Sequence, residues 1–182
     1  MMNPSLPSLI QDIESARLSF LATLEDVSPA QARFKPSPTS WSLLEIAEHM
    51  VRAEQAGLAG MFRAIEGIQQ DQAIWEGSSP SAGLSIEEIV ANTWQPKEQV
   101  PAIAAPQWGG SLHYWKARLR LCTQLVEELI VALAELDPEQ VVYPHPISGP
   151  MNVVQRLEFL RFHLDRHRSQ IERVKAQPDY PH

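Results

Sequence analysis

The chain has 182 residues, 44% of them hydrophobic and 20% charged, with a formal net charge of −7. That length and balance suit one domain over residues 1–182 with a real core. The negative charge argues against nucleic acid as a partner, because a phosphate backbone demands a basic face. The single cysteine, Cys122, excludes an internal disulfide framework. No apolar run is long enough to cross a bilayer, and Met1 to Pro7 lacks the pattern of a signal peptide. A soluble cytoplasmic protein with no membrane partner is expected.

Four long helical patterns follow one another. The first runs from about Ser8 to Asp26, with Ile10, Ile13, Ala16, Phe20 and Leu24 at spacings of three and four. A stretch rich in proline and small polar residues, Ser28 to Ser40, follows. The second helix starts at Ser42, whose partner Glu45 three residues on makes a capping box. It continues to about Gln70 on an apolar row that includes Ile46, Met50, Leu58, Met61 and Ile65. Gly57 and Gly60 weaken its middle or permit close approach of a neighbour.

A long connection, Asp71 to Gly110, comes next. It carries Trp75, Trp94 and Trp108, and a capping box at Ser85 and Glu88 predicts one short helix inside it. Loops of this length in compact domains are often functional. The third helix, about Ser111 to Leu136, has an unbroken seam of Leu112, Trp115, Leu119, Cys122, Val126, Leu129, Leu133 and Leu136. Tyr143-Pro144-His145-Pro146 through Gly149-Pro150 reads as a turn segment. The fourth helix starts near Asn152, capped with Gln155, and runs to about Lys175 on Val153, Leu157, Leu160, Leu164, His167, Ile171 and Val174. No strand pattern of comparable strength appears, so no sheet is expected. The predicted fold is all-α, a four-helix bundle whose second and third helices are joined by a long crossover carrying a short extra helix.

His167 occupies a seam position that is otherwise aliphatic, and a buried imidazole needs a partner. His163 lies one turn earlier, so both rings can point at one ion. His49 lies on the row Ile46, His49, Ala53, Ala56 and Gly60 of the second helix, which is apolar or small apart from the histidine. His49, His163 and His167 are therefore the candidate ligands of one divalent metal. Three protein ligands with no obvious fourth would leave a position for water or substrate, as catalytic rather than structural zinc does. Imidazole alone does not choose among zinc, nickel, copper and iron.

Two segments resemble the DinB-like family. Trp41-Ser42-Leu43-Leu44-Glu45-Ile46-Ala47-Glu48-His49 is similar to the W-S-x-x-E-x-x-x-H opening of that family's second helix. Phe159 to Ile171, with His163, His167 and then Gln170-Ile171, resembles its fourth helix. The resemblance implies a DinB-like four-helix bundle with parallel middle helices, a bound zinc or nickel, and often a homodimer. It also implies a small-molecule substrate. Several branches transfer a low-molecular-weight thiol (bacillithiol, mycothiol or glutathione) to an electrophile through a metal-bound thiolate. Related proteins isomerise maleylpyruvate or supply the metal-binding domain of ergothioneine synthesis. Other relatives are classed as metal-dependent hydrolases using bound hydroxide, and a non-catalytic stress-response role is a further alternative. The chain departs from many relatives at Ile147-Ser148-Gly149-Pro150-Met151, where an aromatic residue commonly precedes the glycine. Apolar residues off the third-helix seam, Leu121, Leu125, Ile130 and Val131, add a hint of a dimer face.

No catalytic side chain is assigned. Cys122 on an apolar seam reads as an inert small hydrophobe. Glu48 and Glu54 are candidates for a general base or an imidazole partner. Glu54, nearer the apolar face, is the better of the two, and Glu48 is expected in solvent. His113 and His145, near helix ends or in a turn, are expected to be exposed. The strip of Arg161, Arg166, Arg168, Arg173 and Lys175, interleaved with Glu158, Asp165 and Glu172, reads as a mixed solvated face.

Overall fold

A computed structural model of the chain describes residues 5–95 and 99–181. Pro96, Lys97 and Glu98 of the crossover, and His182, lie outside the described residues. The helices are α1 (Leu6–Ala22), α2 (Pro29–Arg33), α3 (Leu43–Gln69), α4 (Ile86–Thr93), α5 (Leu112–Ala132) and α6 (Val153–Lys175). Helices α1, α3, α5 and α6 make the bundle, and α4 is the short helix of the crossover. Capping boxes start α2 at Ser28, α3 at Ser42, α4 at Ser85 and α6 at Asn152. Each satisfies two backbone donors that a helix start leaves free.

Side-chain contacts fix the helix directions. Glu48 of α3 bonds residues 107–109 just before α5, and Gln55 of α3 accepts from Arg118 of α5. Residue numbers rise together along both helices, so α3 and α5 are parallel, which only a long crossover permits. His49 of α3 meets His163 of α6, whereas Gly57 meets Arg156. Numbers run in opposite senses there, so α3 and α6 are antiparallel. The seams meet in one core that includes Phe20, Ile46, Met61, Leu119, Cys122, Leu129, Leu157 and Leu164.

The absence of any sheet is corrected. Two strands, β1 (Val142–His145) and β2 (Gly149–Asn152), pair antiparallel with Tyr143 opposite Met151 and Pro144 opposite Pro150. Four-residue strands carry too few residues for a period-two signal. Proline argues against a central strand but is tolerated in a ribbon that has only edges. Gly149, at φ +74°, supplies the left-handed turn residue. The ribbon lies against α3 where Gly60 leaves room for the Tyr143 ring, which any Cβ at that position would strike. Of the two roles open to Gly57 and Gly60 in the sequence, close approach is therefore the one realised. No helix among the described residues is long and apolar enough to cross a membrane.

Candidate metal centre

Histidines 49, 163 and 167 come together. Antiparallel packing brings the first two turns of α3 level with the middle of α6, and all three rings are buried. Their candidate ligand atoms lie within 4.8 Å of one another. The Nε2 of His163 stands 3.3 Å from Nε2 of His49 and 3.0 Å from Nε2 of His167. Nitrogens bound tetrahedrally at about 2.0–2.1 Å would be about 3.3 Å apart, so the spacing suits one ion.

Hydrogen bonds on the far side of two rings set which atoms face the centre. His49 Nδ1 donates to the carbonyl of Ala104 at 2.9 Å. His167 Nδ1 donates to Oε1 of Gln170 at 2.7 Å. Each neutral ring then presents an Nε2 lone pair inward. Two lone pairs and a third imidazole nitrogen facing one point form a donor set that a cation satisfies, whereas a single ring proton could serve only one neighbour. Trp41 closes one side, with its ring 4.8 Å from His49 and 6.3 Å from His167.

Burial keeps the rings neutral. It lowers His49 to about 4 and His167 to about 3, and pushes His163 well below its ordinary value. Neutral imidazole is the form that binds a metal. The shift also fixes a pH dependence for the metal-free protein. Below about pH 6.5 the unfolded chain takes up protons that the folded chain refuses. The stability contributed by these rings is therefore present above pH 6.5 and is lost as the pH falls toward 4. Chemical denaturation of chelator-treated protein should show a loss of about 1.4 kcal/mol per histidine between pH 7.5 and pH 5.5. An unchanged stability over that range would contradict the buried neutral triad.

Glu48 is not in solvent. It is fully buried, and its carboxylate accepts from the backbone N–H groups of Gln107, Trp108 and Gly109 at 2.6, 2.8 and 2.9 Å. The reason is its place beside the returning crossover, which the sequence does not show. It pins the end of the segment that also carries Ala104, the acceptor for His49. Glu48→Ala leaves three donors without their carboxylate and should cost about 1–3 kcal/mol. Hydrogen exchange should report faster opening at residues 104–109, and an unchanged exchange rate there would refute the pinning role.

Glu54 is also corrected. It is buried, but it pairs with Arg17 of α1 rather than with the triad. Cys122 lies near that pair, and burial pushes its thiol up to about 12, leaving it inert. His113 is exposed, whereas His145 is half-buried and its Nδ1 accepts from the N–H groups of Ile147 and Ser148 at 3.2 and 3.0 Å. The hairpin turns its ring inward against Phe159, with centroids 4.6 Å apart.

The triad opens into a cavity of about 640 Å³ walled by α3, the crossover, the hairpin and α6. Its size is that of a small-molecule site. Trp41, Trp94, His145 and Arg156 are among its lining.

The family model for the DinB superfamily matches residues 12–171. The chain belongs to the DinB superfamily. Among DinB relatives, YuaE of Bacillus subtilis (strain 168) is 27% identical over 166 residues, 89% of this chain and 94% of that protein. The crystal structure of TT2238, a four-helix bundle protein, matches with a TM-score of 0.57 at 18% identity. The match covers 93% of this chain and 99% of that one. That likeness establishes the bundle fold. Within the DinB frame, Gln170 was visible in the Gln170-Ile171 pair of the fourth helix. Ala104 was not, since any residue offers a carbonyl.

Proposed function

We propose that this DinB protein binds one divalent metal on His49, His163 and His167 and transfers a low-molecular-weight thiol to an electrophilic small molecule. One observation carries the reading: three neutral imidazoles face one point at the wall of a cavity, with no fourth His, Cys, Asp or Glu in the cluster among the described residues. Such an ion, zinc or nickel as the family resemblance implies, would act as a Lewis acid that lowers the pKa of a bound thiol or water.

The cavity favours a thiol over water as nucleophile. No Asp or Glu lines it among the described residues. Glu48 and Glu54, the two carboxylates that the sequence singled out, are both committed elsewhere, and Asp165, between the paired histidines, faces Arg161 and Arg168. Hydrolysis would lack a carboxylate general base, and the Nδ1 lone pair of His145, the other imidazole on the wall, is taken by two backbone N–H groups, whereas a thiol with a free pKa of about 8.5 needs little help to ionise. The sulfur–carbon bond forms as the leaving group departs, and the thiol proton goes to solvent. The protein's own groups orient the imidazoles, through Ala104 and Gln170, and Trp41 covers one side of the centre. Zinc- or nickel-loaded protein with 1-chloro-2,4-dinitrobenzene and a panel of thiols tests this. A metal-dependent rate of thioether formation is expected. Absence of such a rate with every thiol, or faster metal-dependent cleavage of a nitrophenyl ester, would refute it.

We further propose a homodimer through the outer face of α1 and α5, where Leu18, Leu121, Leu125 and Val131 are exposed. Leu121 and Leu125 lie one turn apart on α5, and neighbouring exposed apolar side chains favour association. Ile130, expected on this face, packs against the core instead. Sedimentation should give twice the chain mass at micromolar concentration, and Leu121→Glu should shift it toward monomer. A monomeric wild type would defeat this assembly.

A further inference from the structure

Arginine 156 is the least explained side chain in the fold. It closes the first turn of α6 and is only 5% exposed. Its Nε and Nη1 are buried without a hydrogen-bond partner. Burial pulls its pKa down to about 10, and no carboxylate offsets this. Buried charges in proteins are ordinarily paired. Gly57 opposite makes room for it, since a Cβ there would stand 3.0 Å from Nη2. This arginine lines the same cavity as the triad.

Its surroundings share its sign. Arg63, Arg166 and Arg173 line the cavity too. None of the four takes part in an ion pair among the described residues. The mixed solvated face expected on α6 is present, and two of its exposed arginines, Arg166 and Arg173, stand at the rim of the cavity. Arg161 and Arg168 pair outward with Glu87 and Glu172, while Arg166 and Arg173 border the cavity, with Arg166 over the Trp94 ring at 5.2 Å. A chain with a net charge of −7 has gathered unpaired cations, and no described carboxylate, around one hole. Such a concave positive field attracts and holds anions.

We infer that Arg156 anchors a carboxylate of the small molecule that enters this cavity. Residues 156, 160, 163 and 167 form one stripe of α6, and Arg156 precedes His163 by seven residues, about 10 Å along the axis. The molecule therefore carries its reacting group at the histidines and an anionic group about two helical turns away. Phe159 and Leu160 line the cavity between these points and suit an apolar middle. Assigning the anion to the reacting molecule rests on the function proposed above, but binding of the anion does not.

The test uses the full chain freed of metal by chelation, titrated with adipate and with its uncharged diamide. Trp41 and Trp94 line the cavity, so intrinsic fluorescence and calorimetry both report. Adipate should bind at least tenfold more tightly than adipamide. Arg156→Met should lose that preference, whereas Arg120→Met, at a surface pair with Glu25, should keep it. Because the methionine removes an unpartnered buried cation, the variant should melt no lower than wild type. A purely structural arginine would lower the melting temperature. Gly57→Ala keeps the charge but crowds Nη2, and should weaken adipate if Arg156→Met does not fold. Equal binding of adipate and adipamide by the wild type, or wild-type adipate binding by Arg156→Met, would overturn the subsite. Two arms on metal-loaded protein locate the carboxylate. One compares mercaptosuccinate with 2-mercaptoethanol, and the other compares 4-chloro-3-nitrobenzoate with its methyl ester. An Arg156-dependent fall in KM on either side assigns the anion to thiol or electrophile, and a fall on neither overturns its assignment to the reacting molecule. Loss of metal binding with adipate binding intact would remove the functional reading and leave the subsite standing.

Discussion

Replacing His167 with alanine should lower zinc affinity by more than the 10- to 100-fold (about 1.4–2.7 kcal/mol) typical of losing an outer partner of a ligand. His167 is proposed as a direct ligand, and its Nε2 lies 3.0 Å from that of His163. With it goes the anchor to Gln170. The helices should remain formed, because the ring borders an open cavity and α6 keeps Leu160, Leu164, Ile171 and Val174 in the core. Calorimetric zinc titration beside a far-ultraviolet dichroism spectrum checks both halves. His113→Ala, at an exposed position, is the control and should bind zinc normally. Zinc affinity within a few-fold of wild type in His167→Ala would remove this residue from the proposed site.

Glu54→Ala should be the most destabilising of the single substitutions considered, by about 3–5 kcal/mol. Arg17 and Glu54 are both almost wholly buried and directly bonded. Arg17 also donates to Glu14 at 2.5 Å and to Thr123 at 3.1 Å, so one guanidinium ties α1 to α3 and α5. Removing Glu54 leaves that charge buried with only the part-exposed Glu14 to offset it. Desolvation is then no longer balanced, which is why breaking such a pair costs more than the pair itself contributes. For a chain of this size the melting temperature should fall by about 6–20 °C. Zinc binding per folded molecule should be unchanged, because the pair lies away from the triad. The double replacement Arg17→Met with Glu54→Leu should recover much of the loss. A fall below about 1 kcal/mol in Glu54→Ala would show that Glu14 and Thr123 suffice for Arg17.

The bundle was legible because its seams are long. Leu119, Cys122, Val126 and Leu129 repeat at three and four, and all are buried in the structure. The capping pairs at Ser42, Ser85 and Asn152 marked helix starts that the structure places there. The convergence of His49, His163 and His167 was legible for a similar reason, since an imidazole on an aliphatic seam is a local anomaly. What stayed hidden depends on contacts between distant segments. Glu48 reads as a surface acid until the crossover returns over it. Glu54 reads as a site residue until Arg17, 37 positions earlier, is seen beside it. The hairpin at 142–152 is too short and too rich in proline to show a period. Arg156 had a readable signal, its place on the 160-163-167 stripe, but only the cavity reveals that it lacks a counter-charge.

Central to the proposed function is one ion held by three imidazoles with a position left over. X-ray absorption at the zinc edge, on protein loaded with one equivalent of zinc at pH 7.5, tests it most directly. Three imidazole nitrogens at about 2.0–2.1 Å and one oxygen from solvent are expected in the first shell. A first shell of oxygen alone, or one with a single imidazole, would contradict it.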